Sequence, residues 1–431
     1  MSQKTKQWGA IIVMIALFAM IAFVTNLCNP MAVIVKNQFG ASNFLSQIGN
    51  YGNFGAYLIM GLPSGMLIKK FGYKKTALMA LVVGIVGILI QWASGSMGFL
   101  VYLIGALISG ACMCMLNTVV NPMLNLLGGG GNEGNQLIQI GGVFNSAAAV
   151  ACYIIMGSLI GEATKAKISD ATPALLIALA IFVIAFVVIW FTKIEEPEQA
   201  SEKEGQIELV VGACKHRHFT LGVLAIALYG AIEVGPPAYI IQYLTAAKDA
   251  ATPGLGLDAA FCGTLGALYF LAMLVGRLLG GIFGGMISSR AMITFVSGMA
   301  AILLLVGIFL DPSWTVNIPS VKDWAQVFTS NGWAWGDVPV GVVLFLLVGL
   351  CASVMWGGIF NLATEGLGKY TSIASGIFMA AVCGFAISVA IQGWVADLTG
   401  SFLLSFLVPF AAAVYLVFYA LIGSRVTKRS E

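Results

Sequence analysis

The chain has 431 residues, of which 59% are hydrophobic and 9% charged, where a soluble globular domain carries about 25% charged residues. A single soluble core could not hide so much apolar surface. A bilayer accepts it, provided every backbone polar group inside the bilayer is paired within the chain, in helices or a closed barrel. The apolar runs show none of the alternation of barrel strands, so an all-α membrane protein is expected, surrounded by membrane lipids. The net charge of +3 carries no sign of a nucleic-acid partner.

A membrane-spanning helix needs roughly 20 apolar residues. Twelve are predicted, at 8–35, 44–68, 76–96, 99–127, 137–160, 172–192, 219–245, 258–283, 290–310, 340–364, 371–397 and 400–423. The first run continues without a small-residue cleavage pattern and reads as a span, not a signal peptide. With the N-terminus inside, inner segments hold 15 basic residues and outer segments 5, with Arg277 inside the eighth span, which accounts for all 21. Basic residues collect on the cytoplasmic side, so both termini are expected in the cytoplasm, with the protein in a bacterial inner membrane.

The one long hydrophilic inner segment, 193–218, carries six glutamates and both histidines. It reads as a solvated linker between an N-terminal bundle (1–192) and a C-terminal bundle (219–431), and leaves no histidine in a span. The halves echo each other at an offset of 215 residues, which pairs Gly61 with Gly276, Gly65 with Gly280 and Lys75 with Arg290. Duplication of six helices is typical of transporters that rock one half against the other around a midplane site. The outer connection 311–339 holds Trp314, Trp324, Trp333 and Trp335 and is expected as a loop near the headgroups, where tryptophan concentrates.

The chain contains no HExxH, GxSxG or GxxxxGK[ST] pattern, and its run Gly128–Gly131 is followed by Asn132-Glu133, with no lysine to meet a phosphate. Neither ATP-driven transport nor hydrolysis is indicated. The reading is a non-enzyme without metal or cofactor. The cysteines, seven of them in apolar runs, read as small apolar residues.

Acids are scarce in the predicted spans. Spans 1 to 6 contain none, Glu365 and Asp397 sit at the ends of spans 10 and 11, and Glu233 lies near the middle of span 7. A charge in mid-bilayer costs at least ~2.5–3.5 kcal/mol on insertion scales, so Glu233 is a functional candidate. It is the expected proton carrier if the protein couples transport to protons. Amides are abundant: Asn29 in span 1, Asn53 with Tyr57 in span 2, Asn117 and Asn121 on one face of span 4, Gln139 and Asn145 in span 5, Gln242 in span 7, and Trp356 with Asn361 in span 10. An amide both donates and accepts, as a sugar hydroxyl does, and an aromatic ring covers a sugar's apolar face. These ten residues are the substrate-binding candidates. The competing reading of each amide is interhelical glue, worth ~0.6 kcal/mol.

Residues 54–65 (Phe-Gly-Ala-Tyr-Leu-Ile-Met-Gly-Leu-Pro-Ser-Gly), running on to Lys69-Lys70-Phe71-Gly72-Tyr73-Lys74-Lys75, resemble helix 2 and loop 2–3 of the fucose/galactose/glucose permeases of the major facilitator superfamily. Asn117-Thr118-Val119-Val120-Asn121-Pro122, Phe144-Asn145-Ser146, Gly230-Ala231-Ile232-Glu233-Val234, Ile359-Phe360-Asn361-Leu362 and Gln392-Gly393-Trp394-Val395-Ala396-Asp397 are similar to further motifs of that family, in family order. The resemblance implies two six-helix bundles, a central cavity and alternating access, with hexose import coupled to protons or, in some members, sodium. It also implies gating roles for Gly65, Lys69, Gly72, Lys74, Lys75 and Arg277. The chain is expected to act as a monomer on a small-molecule sugar.

Two positions depart from the family. Where the family has an aspartate on helix 1, this chain reads Cys28-Asn29-Pro30, and where relatives have Glu or Gln on helix 4 it has Asn117. Three alternatives therefore stand beside proton symport: an uncoupled facilitator, a permease for a glycoside, amino sugar or muropeptide, and a membrane solute sensor.

Overall fold

The computed structural model describes residues 7–39, 48–129, 131–159, 167–192, 194, 206–249, 252–257, 259–321 and 332–426. Among the described residues ten helices are long and apolar enough to cross a membrane. Gly49–Met97, with 49 residues, turns back at Gly72 and supplies two spans, and Gly131–Leu159, outside that set of ten, brings the spans to twelve. The spans are Trp8–Phe39 (span 1), Ile48–Met97 (spans 2 and 3), Phe99–Leu127 (4), Gly131–Leu159 (5), Ile168–Phe191 (6), Arg217–Glu233 with Gly235–Thr245 (7), Ala259–Phe283 (8), Ser289–Phe309 (9), Val340–Ala352 with Met355–Thr364 (10), Thr371–Ala380 with Gly384–Thr399 (11), and Phe402–Ser405 with Leu407–Phe418 (12). Spans 1 to 6 form one bundle and spans 7 to 12 the other. The face of the molecule where span 1 begins and span 12 ends is its termini side.

Several boundaries differ from the sequence expectation, each for a local reason. The polar 2–3 loop is reduced to Gly72, whose φ of 83° is the one non-helical point in Ile48–Met97. A glycine reverses the chain there without the Cβ clash another residue would meet, so Lys69, Lys70, Lys74 and Lys75 ride on the flanking turns. Lys74 Nζ donates to the Trp190 and Thr192 carbonyls at 3.0 and 2.8 Å. It caps the C-terminal end of span 6, where carbonyls lack helical donors and the dipole favours a cation.

Spans 5 and 6 begin earlier than expected, at Gly131 and Ile168, and so take Glu133 and Asp170 into their first turns. Acids at a helix N-terminus oppose no dipole, and an end position spares them the bilayer centre. The first six spans are thus acid-free only away from their ends.

The linker is also more structured than a solvated segment. Residues Gln206–Cys214 form a helix whose Leu209 and Ala213 are buried. A Cβ on Gly212 would stand 2.4 Å from the Tyr370 ring, so this helix rests on the start of span 11. Span 7 begins at Arg217, which corrects the expectation that no histidine enters a span. His218 is buried in its first turn, with Nε2 2.8 Å from the Glu365 carbonyl.

The outer connection is an antiparallel hairpin, β1 (Thr315–Val321) with β2 (Trp333–Pro339), in place of the loop expected there. Its backbone groups pair with each other, which a bare loop of this length could not arrange. Gly336 lies against Phe261 at the start of span 8, while Trp314 and Trp335 are exposed. Trp324 falls outside the described residues.

The two bundles meet along two glycine-lined seams. On the first, a Cβ on Gly61 (span 2) would stand 2.4 Å from the Ala380 backbone nitrogen (span 11), and one on Gly376 would stand 2.8 Å from the Gly61 carbonyl and 3.3 Å from Gly65. On the second, Gln136 of span 5 donates to the Gly281 carbonyl of span 8 at 2.7 Å, and Gln139 donates to the Val354 carbonyl of span 10 at 3.2 Å. These contacts lie from mid-depth toward the termini side. On that side the halves are in contact.

Candidate functional site

At mid-depth four side chains form a directed chain of hydrogen bonds from one half to the other. Trp356 Nε1 of span 10 donates to Asn121 Oδ1 at 3.0 Å. Asn121 Nδ2 donates to the Asn117 carbonyl at 2.9 Å and to Asn117 Oδ1 at 3.4 Å. Asn117 Nδ2 donates to the Tyr57 hydroxyl of span 2 at 2.8 Å. The spacing of four residues stacks the two asparagines on one helix face. Asn121, Asn117 and Tyr57 are all buried, and a buried amide is retained at low cost only when its donors and acceptors are paired.

An aromatic wall backs this chain. Trp356 has Tyr229, Phe378 and Phe385 within 6.4 Å between ring centroids, and Phe385 in turn meets Phe54 of span 2 at 5.4 Å. The site therefore offers amide and hydroxyl groups on one side and ring faces on the other.

Beside it lies a charged pair. Glu233 Oε1 is 3.6 Å from Arg277 Nη2, with the glutamate side chain 20% exposed and the arginine 6%. Helical side chains tilt toward the N-terminus of their helix. Spans 7 and 8 run in opposite directions, so Glu233 and Arg277 lean toward one another. Arg277 Nη1 also reaches the Gly142 carbonyl (3.0 Å), Asn145 Oδ1 (2.7 Å) and Ser146 Oγ (2.8 Å), all on span 5. Asn145 Nδ2 is spent on the Phe18 carbonyl of span 1 at 2.8 Å.

Span 7 breaks directly after Glu233. Pro236 and Pro237 have no N–H, so the carbonyls of Ile232 and Glu233 lose the donors that a continuous helix would supply. The Tyr269 hydroxyl of span 8 donates to the Ile232 carbonyl, and the Tyr229 hydroxyl donates to the Ala352 carbonyl at 3.1 Å. Those two tyrosines frame the carboxylate.

The sequence candidates thus separate into groups. Tyr57, Asn117, Asn121 and Trp356 come together; Asn145 joins the Arg277–Glu233 pair beside them. Asn53 is buried on span 2 with its Nδ2 unpaired, and Gln242 is half-buried farther along span 7, beyond the break. Gln139 and Asn361 stand apart. Gln139 is committed to the span 5–span 10 seam, and Asn361 Nδ2 donates to Ser289 Oγ at 2.9 Å, next to Asn135 near the termini side. The side chain of Asn29 lies outside the described residues. Arg277 is placed at mid-depth against Glu233, whereas Gly65, Lys69, Gly72, Lys74 and Lys75 lie toward the termini side. Sequence reasoning missed Ser146 and Tyr229 as neighbours of this charge pair. The signal available for the pair itself was Arg277 alone in an apolar span, since such a cation needs a buried partner and Glu233 is the mid-span acid.

The sequence profile of the Major Facilitator Superfamily matches residues 13–381. A glucose/galactose transporter of Brucella abortus is 30% identical over 98% of this chain and 96% of its own length. An L-fucose-proton symporter of Escherichia coli is 21% identical over 91% of this chain and 88% of its own. Among solved structures, the transporter FucP in its outward conformation superposes with a TM-score of 0.77 at 20% identity, covering 96% of this chain and 99% of that one. These relatives are transporters, not enzymes. Twelve helices in two bundles, a polar site where the halves meet, and a profile match over most of the sequence place the chain in the major facilitator superfamily.

Proposed function

We propose that the protein carries a hexose or related sugar across a bacterial inner membrane by alternating access, with proton coupling through Glu233. The observation that carries this reading is the chain Trp356–Asn121–Asn117–Tyr57. It joins the two halves through an indole donor and through amide and hydroxyl groups that both donate and accept, flanked by rings suited to a sugar's apolar face. The names of the relatives, glucose/galactose transporter and L-fucose-proton symporter, support the same substrate class. Asn29, Asn53, Asn145 and Gln242 are proposed as further contacts when the halves rearrange, and the bundles 1–192 and 219–431 as the rocking units joined by 193–218. The test is counterflow in proteoliposomes with a panel of hexoses, glycosides and amino sugars. Stimulated exchange by at least one hexose supports the reading; exchange only with glycosides, amino sugars or muropeptides moves the substrate class, and binding without flux would make the protein a sensor.

A facilitator without a coupling ion is the competing reading, favoured by one observation: Glu233 already has a cationic partner in Arg277. A facilitator equilibrates sugar and ignores pH and sodium gradients. Imposing each gradient in turn on the same vesicles separates proton symport, sodium symport and facilitation.

The charge distribution orients the protein with its termini side in the cytoplasm. Lys75 is exposed beside Gly72. Lys75→Cys, in a background with Cys214→Ser and Cys383→Ser, is expected to stay unlabelled by an impermeant thiol reagent added to intact cells and to label after permeabilisation. Labelling of intact cells would invert the orientation.

A further inference from the structure

Arg277 holds two sets of partners that a separation of the halves would pull apart. Three acceptors, the Gly142 carbonyl, Asn145 Oδ1 and Ser146 Oγ, belong to span 5 in the N-terminal bundle, at 3.0, 2.7 and 2.8 Å from Nη1. The others belong to its own bundle: the Ser353 carbonyl, 3.3 Å from Nε, and Glu233, 3.6 Å from Nη2. The cross-bundle bonds are the short ones and the ion pair is the long one. In this closed arrangement the cation is satisfied chiefly by neutral oxygens of the opposite half.

Opening the span 5–span 8 seam removes those three oxygens together. The guanidinium cannot shed its proton, and a buried cation stripped of partners is strongly unfavourable. Among the described residues of the C-terminal bundle one group beside Arg277 can take the charge, the Glu233 carboxylate, and only if it is ionised. We propose that Arg277 exchanges partners, from span 5 to Glu233, as the seam on the termini side opens, so that protonation of Glu233 holds that seam shut. This inference rests on the transporter reading above.

The proton balance is simple. With the seam closed, the Glu233 carboxylate takes a proton from water and becomes a neutral acid, while Arg277 stays on span 5. When the seam opens, the acid gives the proton to entering water and the resulting carboxylate closes on Arg277. By linkage, Glu233 binds protons more weakly in the open state by the same factor by which protonation disfavours opening. The titratable groups facing Glu233 are Arg277 and Tyr269 of span 8, Tyr229 of span 7 and Tyr57 of span 2. The ordinary tyrosine range lies well above neutral pH, which leaves Glu233 as the carboxylic acid of this cluster. His218, in the first turn of span 7 on the termini side, is a competing source of a pH response.

The test measures distance, not transport. Spin labels are placed at Leu126→Cys and Met286→Cys, exposed positions at the termini-side ends of spans 4 and 8, in the full chain with Cys214→Ser and Cys383→Ser. Double electron–electron resonance in nanodiscs reads the fraction with widely separated ends from pH 5 to 9. That fraction is expected to rise with pH when Glu233 is present. In E233Q it should fall at least about tenfold below the value at pH 9, since the amide cannot neutralise a stranded buried cation, and it should ignore pH. In E233Q/R277Q the open fraction should return, again independent of pH. A pH response that survives in E233Q, which would point to His218, or a double variant that stays shut, overturns the proposal; so does a pH-independent open fraction when Glu233 is intact, which keeps the test decisive should E233Q misfold. Because no sugar or gradient is involved, failure here is distinct from failure of the flux experiments.

Discussion

Vesicles containing Glu233→Gln are expected to lose pH-driven sugar accumulation, with the internal sugar concentration rising only to the external one. The argument begins with where acids are. Among the described residues Glu133 and Asp170 lie in first helical turns, and Glu365 caps the end of span 10. Glu233 stands at mid-depth, beside the break in span 7 and against Arg277. A coupling group must change its surroundings as the halves move, because only a differential interaction with the two states can link proton binding to conformation. Glu233 meets that condition through Arg277, whose three closest partners sit on the opposite bundle. Glutamine keeps the shape and hydrogen bonding of the neutral acid but cannot cycle. Exchange down a gradient therefore persists, slowed because the amide leaves Arg277 without an anion, and is expected to recover in the double variant E233Q/R277Q. Uphill uptake driven by protons alone in E233Q would show that another group carries the proton. A wild type indifferent to pH and sodium gradients would instead establish facilitation.

The course of the spans was legible in the sequence because bilayer thickness imposes a length and an apolar composition that no local detail overrides. The breaks were less so. Gly72 replaces a loop with one residue, and nothing in the flanking lysines announces that the helices on both sides run up to it. The hairpin at 315–339 escaped because its strands, TVNIPSV and WAWGDVP, contain proline and glycine, which usually argue against strand. The span 4 face was readable from spacing alone: Asn117 and Asn121 do share a face and do meet Tyr57 and Trp356. Asn361 was not separable from them by the same logic. It lies five residues after Trp356, on a different side of the helix, and only the packing of span 9 shows that Ser289 claims it. Periodicity locates a residue on its own helix, whereas a site between helices depends on the neighbour's rotation, which the linear sequence does not encode.

Asn121→Ala should weaken sugar binding by roughly 5- to 150-fold, the equivalent of leaving a buried polar group unpaired at a cost of about 1–3 kcal/mol. Asn121 is the member of the N-terminal half that carries the chain across, through Nδ2 to Asn117 on its own helix and through Oδ1 to Trp356 Nε1 of the opposite bundle. It is fully buried, at 0% exposure, so water has no ready route to replace it. In the alanine variant the indole N–H and one face of the Asn117 amide lose their partners, and a sugar hydroxyl that exchanges into this network has nothing to bind. Gln91→Ala is the control for mere loss of a buried amide: Gln91 donates to Ser109 Oγ at 2.9 Å between spans 3 and 4, within one bundle, and its loss should lower thermal stability without changing sugar affinity. Trp356→Phe refines the result, since it keeps an aromatic face while removing the donor to Asn121. It should cost less than Asn121→Ala if ring stacking contributes to binding. The measurement is the half-saturation concentration for counterflow, with melting temperature recorded for each variant. If Asn121→Ala lowers the melting temperature as Gln91→Ala does and leaves half-saturation untouched, then the chain from Trp356 to Tyr57 is interhelical glue and the sugar binds elsewhere.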